Sequence, residues 1–387
     1  MVFNDAVREG PAASYIEAML SIVMNMDERL KPIAEVAEEA AERVVAGGHL
    51  YSTEDGGGFI SEIGGRAGGL MMIKRLEDPS DAKCGDVVLA GTLHLKPEEQ
   101  AEQFHELVQK GVLVVLFGSS ESPLRSEANR FVESFLPLGT APLIQIGEAE
   151  KSICPAATVG NIAAAWAFLG EFVGACTRRG KMPTMYQSVF VPNHEVRNAK
   201  YSGQVFHDDF DILPLEAQSV GRAYLSDIKR CFEGIRSTQL GLFEAAGKLA
   251  AEAIQSGHKA WCFFIGHHLP SQIGLPGDPG LFSINPKSSG AFAQGDLFLW
   301  VGYYHLPQDQ LDMVREAGVK SVWVNGAREI HPIELMPDRI VIDPYWAYGD
   351  ASVSIPGYDI RILPPSGVVQ TACLWMLAGE TAQALAE

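Results

Sequence analysis

The hydrophobic pattern of the chain alternates between helix-like and strand-like stretches. Apolar residues recur every three or four positions over residues 12–46 and again over 222–256, which predicts a long amphipathic helix in each stretch. The patterns end at Gly47 and Gly48 in one case and at Gly257 in the other, as helices commonly do. Short, continuous apolar runs follow, separated by further helical patterns. Strands that alternate with helices indicate βαβ units and a parallel, doubly wound sheet.

The two helical patterns belong to a longer repeat. Residues 41–64 (AERVVAGGHLYSTEDGGGFISEIG) align without a gap on residues 251–274 (AEAIQSGHKAWCFFIGHHLPSQIG). Further pairs follow in the same order, namely GDVVLAGTLHL with GDLFLWVGYYHL, KGVLVVLFG with AGVKSVWVNG, and CPAATVGNIAAAWAFLGE with LPPSGVVQTACLWMLAGE. Ordered matches at similar spacing predict a tandem duplication of one unit. We therefore expect two domains, at residues 1–179 and 222–387, joined by a structured connector at 180–221.

Composition excludes several classes of function. A hydrophobic content of 47% with 20% charged residues is that of an ordinary globular protein. No apolar run approaches the roughly 20 residues of a membrane span, and the start of the chain has no signal core, so we expect a cytoplasmic protein without a membrane partner. The net charge of −18 argues against a nucleic-acid partner. The six cysteines form no CxxC pair, and the chain has no dinucleotide fingerprint; we expect no metal and no cofactor.

Several motifs together resemble the sugar isomerase (SIS) domain family. They are a glycine-rich loop that runs into a helix with a glutamate and the string RAGGL (SEIGGRAGGL, residues 61–70), and a late helix after Pro155. The first half resembles the uncharacterised SIS branch related to phosphoheptose isomerases, as does PTMYQSVFVPNHEVRN at residues 183–198. The resemblance implies two SIS-like α/β domains, each a flavodoxin-like three-layer sandwich with a doubly wound parallel sheet. It also implies a small-molecule ligand, a sugar or sugar phosphate, and we expect a homo-oligomer, a dimer.

The loops that hold phosphate in that family are rich in serine and threonine, and here they depart from the pattern. In the first loop, Ser52 and Thr53 precede the three glycines at 56–58 instead of lying among them. In the second loop, AGTLHLKPEE, Thr92 is the only hydroxyl. The ligand is therefore either an unphosphorylated sugar or one whose phosphate is held by backbone amides at a helix N-terminus.

Glu62 is the candidate base of the first half. Aldose–ketose isomerisation moves a proton between adjacent carbons through an enediol and needs a carboxylate or imidazole within hydrogen-bond reach. Glu62 follows the glycine loop by one helical turn and matches the glutamate of the family's helix. The alternative is an acid that merely stabilises a helix N-terminus. The second half has Gln272 at this position, so only the first-half site is competent if Glu62 is catalytic.

Four histidines lie where ligands bind in such folds. His94 and His305 occupy equivalent positions after the second strand of each half, which predicts contact with the ligand. His267 and His268 stand where the first half has two glycines and are candidates for the acid that opens the sugar ring. Their alternative is a pair at a helix start without a chemical role.

These observations predict a sugar or phosphosugar isomerase that works through an enediol. A non-catalytic sugar-binding regulatory protein and a lyase or deglycase using the same enolisation are the alternatives. A carboxylate and a histidine in one pocket would favour an enzyme, and a pocket without such a pair would favour the regulator. The predicted catalytic residues are Glu62, His94 and His267, and the predicted substrate-binding residues are Ser52, Thr53, Asp55, Gly56, Gly57, Gly58, Ser61, Thr92, His268, Ser271 and His305.

Overall fold

Two five-stranded parallel sheets form the framework of the protein. The structure, a computed structural model, describes residues 10–93, 96–134, 144–146, 152–284, 292–302, 308–326, 339–347 and 349–387. Each sheet is the centre of one unit and lies between layers of helices. A short helix, α6 (His194–Tyr201), lies in the segment between the two units.

The first unit is built on the sheet β2-β1-β3-β4-β5, in which all neighbouring strands are parallel. Its strands are β1 (Leu50–Ser52), β2 (Lys74–Arg75), β3 (Val87–Gly91), β4 (Leu113–Gly118) and β5 (Arg130–Glu133). Its helices are α1 (Pro11–Glu28), α2 (Leu30–Val45), α3 (Phe59–Ile63), α4 (Pro97–Gln109) and α5 (Ala157–Thr177); the antiparallel pair β6 (Ile144–Gln145) and β7 (Ser152–Ile153) precedes α5. Side chains alternate across β3 and β4, so one face packs on α2 and α5 and the other on α4.

The second unit repeats this architecture around the sheet β9-β8-β10-β11-β12. Its strands are β8 (Ala260–Phe264), β9 (Ser283–Ile284), β10 (Leu297–Gly302), β11 (Lys320–Asn325) and β12 (Arg339–Ile342). Its helices are α7 (Ser219–Thr238), α8 (Leu240–Gln255), α9 (Gln308–Ala317) and α10 (Ser366–Ala386); the antiparallel pair β13 (Val353–Ser354) and β14 (Arg361–Ile362) precedes α10. One face of this sheet packs on α8 and α10 and the other on α9.

The strand order is the same in both sheets. If each unit's own strands are numbered along the chain, both read 2-1-3-4-5. This is the flavodoxin-like doubly wound order, whose switch point lies between the first and third strands. The predicted fold class, two α/β units with doubly wound parallel sheets flanked by helices, is confirmed. The switch point of the first unit lies between β1 and β3.

Each predicted long helix is in fact two helices. The first breaks at Arg29, where φ is −109°, and the second at Gln239, where φ is −114°. The apolar periodicity continues through both breaks because the helix before each break and the helix after it both bury an apolar face. Periodicity alone therefore predicted one uninterrupted helix where the chain turns.

The breaks let the first helix of each unit pack against the last helix of the other. Oε1 of Glu380 in α10 accepts the N–H of Ala12 at the start of α1 at 2.8 Å, and Glu171 in α5 accepts the N–H of Gly221 at the start of α7 at 2.7 Å. A carboxylate at a helix N-terminus satisfies unpaired N–H groups and the positive end of the helix dipole. The domain boundaries proposed at 179/180 and 221/222 stay predictions.

Helix α5 departs from the expectation that no apolar run approaches the length of a membrane span. Among the described helices it is the one long and apolar enough for that, with 21 residues and a mean hydropathy of 1.4 over an 18-residue window. It is entirely buried inside the protein, packed against α2 and the first sheet.

Candidate functional site

Three hydroxyl side chains lie at the switch point of the first sheet. Ser52 ends β1, and Thr53 follows it, with its N–H donating to the carbonyl of Leu89 in β3 at 3.1 Å. Both side chains are buried, and neither hydroxyl has a hydrogen-bond partner among the described residues. Thr92, just after β3, is also buried, but its hydroxyl donates to the carbonyl of Phe117 at 3.1 Å. Ser52 and Thr53 are therefore the hydroxyls that the described groups leave unused.

The backbone N–H groups of the glycine loop after β1 are already bonded to carboxylates of the protein itself. All five backbone N–H groups of residues 55–59 donate to two carboxylates. Three donate to Oε1 of Glu54 at 3.1 to 3.2 Å, and two donate to Oδ1 of Asp55 at 2.7 and 3.2 Å. Gly56 and Gly58 have φ values of 83° and 87°, which glycine adopts without a Cβ clash. The backbone donors that a phosphate would use are thus taken.

Asp55 is the more buried of these two acids. Removal from water raises the pKa of its carboxyl to about 7, and the neighbouring charge of Glu54 adds to this effect. The two N–H bonds that Asp55 accepts act in the opposite direction. At neutral pH, therefore, Asp55 is near the midpoint of its titration, which is unusual for an aspartate.

We expect Asp55→Asn to make the free energy of unfolding less dependent on pH. The folded-state pKa lies above the unfolded value of 3.8, so the stability that Asp55 contributes is full below about pH 4 and is lost as pH rises through 7. Asparagine retains the acceptor oxygen but carries no charge. The variant should therefore gain stability relative to wild type between pH 5 and pH 8 in urea unfolding. The exposed Asp208→Asn is the charge-matched control, and an unchanged pH dependence in Asp55→Asn would count against the shift.

A buried network of four side chains, which we call the junction network, connects the two units. It consists of Glu62, Arg66, Asp350 and Ser366, all of them at most 1% exposed. Arg66 donates through Nη1 to Glu62, and through Nη2 to Asp350 at 2.6 Å and Ser366 at 2.9 Å. The hydroxyl of Ser366 in turn donates to Asp350 at 2.8 Å. One guanidinium thus lies between two carboxylates, one from each unit.

Helix α3 places Glu62 between α5 and the start of α10. Its Oε1 accepts the indole N–H of Trp166 in α5 at 3.0 Å as well as the bond from Arg66. Its Oε2 is buried and has no hydrogen-bond partner among the described residues. A Cβ on Gly367 would overlap the Glu62 carboxylate, so the first turn of α10 needs glycine there. Burial raises the pKa of Glu62, Arg66 lowers it, and the charge of Asp350 raises it further.

The loop after β8 in the second unit packs directly on the glycine loop. Gln272 donates through Nε2 to the carbonyl of Gly57 at 2.8 Å and accepts the hydroxyl of Thr158 at 2.6 Å. A Cβ on Gly58 would lie 2.7 Å from Cβ of Ser271. Gln272, which replaces Glu62 in the second half, therefore makes neutral contacts to the first unit instead of an ion pair.

The two histidines of this loop have different surroundings but the same direction of pKa shift. His268 is buried, with Nδ1 at 3.1 Å from the Thr371 hydroxyl and Nε2 at 3.0 Å from the Gln272 amide. Burial lowers the pKa of His268 to about 4. His267 has an exposed side chain, but partial removal from water and the charge of Arg66 lower its pKa to about 4 as well. Both imidazoles are therefore neutral at pH 7.

The structure brings most of the predicted site residues to one place, where the two units meet. The residues of this cluster are Ser52, Thr53, Asp55, Gly56, Gly57, Gly58, Ser61, Glu62, Thr92, His267, His268 and Ser271. Two predicted residues, His94 and His305, lie outside the described residues. Among the residues that the structure describes, no group of three His, Cys, Asp or Glu side chains could hold a metal ion. The role of each of these residues stays a prediction.

Three residues of the site were not predicted: Trp166, Asp350 and Ser366. Arg66, in the string RAGGL, is by its charge a candidate to bind an anionic sugar, whereas the counterpart of Trp166 in the repeat, Trp375, indicated only the duplication. Ser366 follows two prolines at a helix start. Asp350 lies 284 positions from Arg66 in a segment without a motif, and nothing in the sequence indicates it.

Comparison with known proteins gives matches among solved structures. No family model matches the chain, and no curated protein matches it. One similar structure is the C-terminal domain of glucosamine-fructose-6-phosphate aminotransferase from Francisella tularensis, with 10% identity, 100% of this chain and 97% of that chain covered, and a TM-score of 0.48.

Two further structures are similar over nearly the whole chain. A protein provisionally described as a phosphosugar isomerase, from Silicibacter pomeroyi DSS-3, has 10% identity, 97% coverage of both chains and a TM-score of 0.49. One provisionally described as a sugar-binding protein, from Salmonella typhimurium LT2, has 10% identity, 96% and 98% coverage and a TM-score of 0.48.

Proposed function

We propose that the protein binds a sugar or sugar phosphate where the two units meet, and that it interconverts aldose and ketose forms with Glu62 as the base. The observation that carries this proposal is the state of the Glu62 carboxylate. One oxygen is fixed by Trp166 and Arg66, while Oε2 is buried and has no described partner. Unpartnered buried polar atoms are rare in proteins and often belong to functional sites. A raised pKa also makes a carboxylate a better acceptor for a carbon-bound proton.

The groups around Glu62 supply the other parts of an enediol mechanism. Arg66 provides positive charge for the oxyanion that develops when the proton leaves the carbon. His267 is neutral at pH 7 because its pKa is lowered to about 4, so it would serve as a hydrogen-bond donor to the sugar and not as a protonated acid. Glu62 itself is 0% exposed, so a substrate reaches it only when groups packed around it move apart.

The test of this function is proton exchange in D₂O. Glucose, fructose, glucose 6-phosphate and fructose 6-phosphate would each be incubated with the protein, and deuterium at the carbon next to the carbonyl would be measured by mass spectrometry. Incorporation with any of them supports an isomerase. The same incubations with heat-inactivated protein give the background of uncatalysed enolisation.

A ligand-sensing protein without catalysis is the second candidate. It is favoured by the contact of Glu62 with Arg66, since a paired carboxylate is a weaker base. A sensor would raise its melting temperature with one of the four sugars and show no deuterium incorporation, because a ligand that binds only the folded state stabilises it by mass action.

The occupied glycine loop favours a ligand that carries no phosphate at this point. Glu54→Ala should therefore create phosphate binding that wild type lacks, because it removes one charge and frees three N–H donors. In a thermal-shift titration with inorganic phosphate we expect the variant, but not the wild-type protein, to gain several degrees. Glu252→Ala, exposed on α8, is the control with the same charge change. Equal shifts in all three proteins would show that Glu54 does not exclude phosphate.

A further inference from the structure

We propose that Asp350 and Ser366 of the second unit are positioning residues for Glu62: they hold one edge of the Arg66 guanidinium and so keep Glu62 only partly paired. This role rests on the proposed function, in which Glu62 must stay available as a base. It makes chemistry at the first unit dependent on a carboxylate supplied by the second.

The geometry of Arg66 carries the proposal. An arginine and a carboxylate commonly pair through two parallel N–H···O bonds. In the described part of the chain, Arg66 donates to Glu62 through Nη1 alone, because Nη2 is engaged by Asp350 at 2.6 Å and Ser366 at 2.9 Å. The consequence is visible at Glu62, whose Oε2 has no hydrogen-bond partner among the described residues.

Asp350 is itself held firmly in this position. Its Oδ1 accepts the N–H of Ser366 at 3.2 Å, and its Oδ2 accepts the Ser366 hydroxyl at 2.8 Å. Its backbone φ is 46°, a left-handed value that is uncommon outside glycine and that persists where the surrounding structure imposes it. The segment before β13 therefore presents the Asp350 carboxylate to Arg66 in one fixed orientation.

Among the residues that the structure describes, few charged and titratable groups face Glu62. They are Arg66 on its own segment, Asp350 from the segment before β13, and the phenol of Tyr224 in α7, while His267 and His268 face the guanidinium of Arg66. Asp350 is the one of these that both repels a charge on Glu62 and competes for its cation. Without Asp350, Glu62 would be the one carboxylate that the described residues place on Arg66, and Glu62 would lose its proton at lower pH.

The decisive experiment titrates Glu62 directly and needs no ligand. In protein labelled with ¹³C at the glutamate side-chain carboxyl, infrared spectroscopy gives the C=O band of each protonated glutamate, and the Glu62 band is the one absent from Glu62→Gln. The midpoint of the titration is the pH at which half of the Glu62 band is lost. We expect Asp350→Asn to lower this midpoint by about one pH unit or more. Asparagine tolerates a positive φ, so the backbone at this position is preserved. Asp359→Asn, which removes a carboxylate paired with Arg197 instead, should leave the midpoint unchanged.

Activity gives a second, separable readout. If wild type exchanges protons with a sugar, the acid limb of its pH–rate profile should move in the same direction in Asp350→Asn. If no sugar exchanges, the proposed isomerase fails, but the infrared titration still decides the role of Asp350. A Glu62 midpoint that is identical in wild type and Asp350→Asn would overturn the inference.

Ser366→Ala is the second variant if Asp350→Asn does not fold. It removes only the hydroxyl that joins Asp350 to Nη2 of Arg66. The midpoint of Glu62 should then fall by less than in Asp350→Asn, and no change in a folded Ser366→Ala would likewise contradict the proposed role.

Discussion

Glu62→Gln is expected to abolish deuterium incorporation next to the sugar carbonyl while leaving sugar binding intact. Glutamine keeps an oxygen to accept from Trp166 and Arg66, and it keeps the volume that fits against Gly367. It cannot take up a proton from carbon, so only the transition-state step suffers. The exchange rate should fall by about 10²–10⁴-fold or more, the range typical of a missing general base. The rate is measured by mass spectrometry in D₂O and the binding by thermal shift with the same sugar.

The matched control for this variant is Glu252→Gln, the same exchange on the exposed face of α8. It should leave both exchange and binding at wild-type levels. The second unit already carries Gln272 at the equivalent position, where the amide bonds to Gly57 and Thr158, so the fold accommodates glutamine in this environment. Undiminished exchange in Glu62→Gln would remove Glu62 from the mechanism.

The fold could be predicted from the sequence because its central strands are buried on both faces. Residues 87–91 and 113–118 form continuous apolar runs, which are typical of parallel strands between two helical layers. The repeat then predicted the second sheet from the first. The breaks at Arg29 and Gln239 could not be predicted, because a turn between two helices that both bury an apolar face leaves the apolar periodicity intact.

The site could be predicted from the sequence only in part, for a reason that lies in its geometry. The switch-point rule places ligands at the carboxyl ends of β1 and β3, and from this rule the glycine loop and Glu62 are predicted to lie at one site. The partners of Glu62 and Arg66 come from elsewhere: Trp166 of α5 bonds to Glu62, and Asp350 and Ser366 of the other unit bond to Arg66. A contact between residues hundreds of positions apart leaves no trace in spacing. The occupation of the loop by Glu54 was equally hidden, since an acid beside glycines also fits a solvated turn.

The largest effect on stability is expected from Arg66→Met. Methionine fills similar space but leaves Glu62 and Asp350 buried without their cation, and removing one partner of a buried ion pair costs about 3–5 kcal/mol. The penalty should depend on pH. Both carboxyls would have folded-state pKa values above their unfolded ones, so the variant binds protons on folding and loses stability as pH rises. The difference from wild type in urea unfolding should therefore be larger at pH 8 than at pH 5.

The surface arginine Arg236 provides the contrast, because it also joins the two units. It pairs with Glu17 at 3.1 Å, and both side chains are more than 40% exposed. Arg236→Met should cost at most about 1 kcal/mol, with little dependence on pH, as exposed ion pairs do. If Arg66→Met lost the same free energy at pH 5 and pH 8, the loss would be one of packing, and the two carboxylates would not depend on Arg66 for their charge. If the loss grows with pH, the single guanidinium is what allows an ionised Glu62 and an ionised Asp350 to share one buried site.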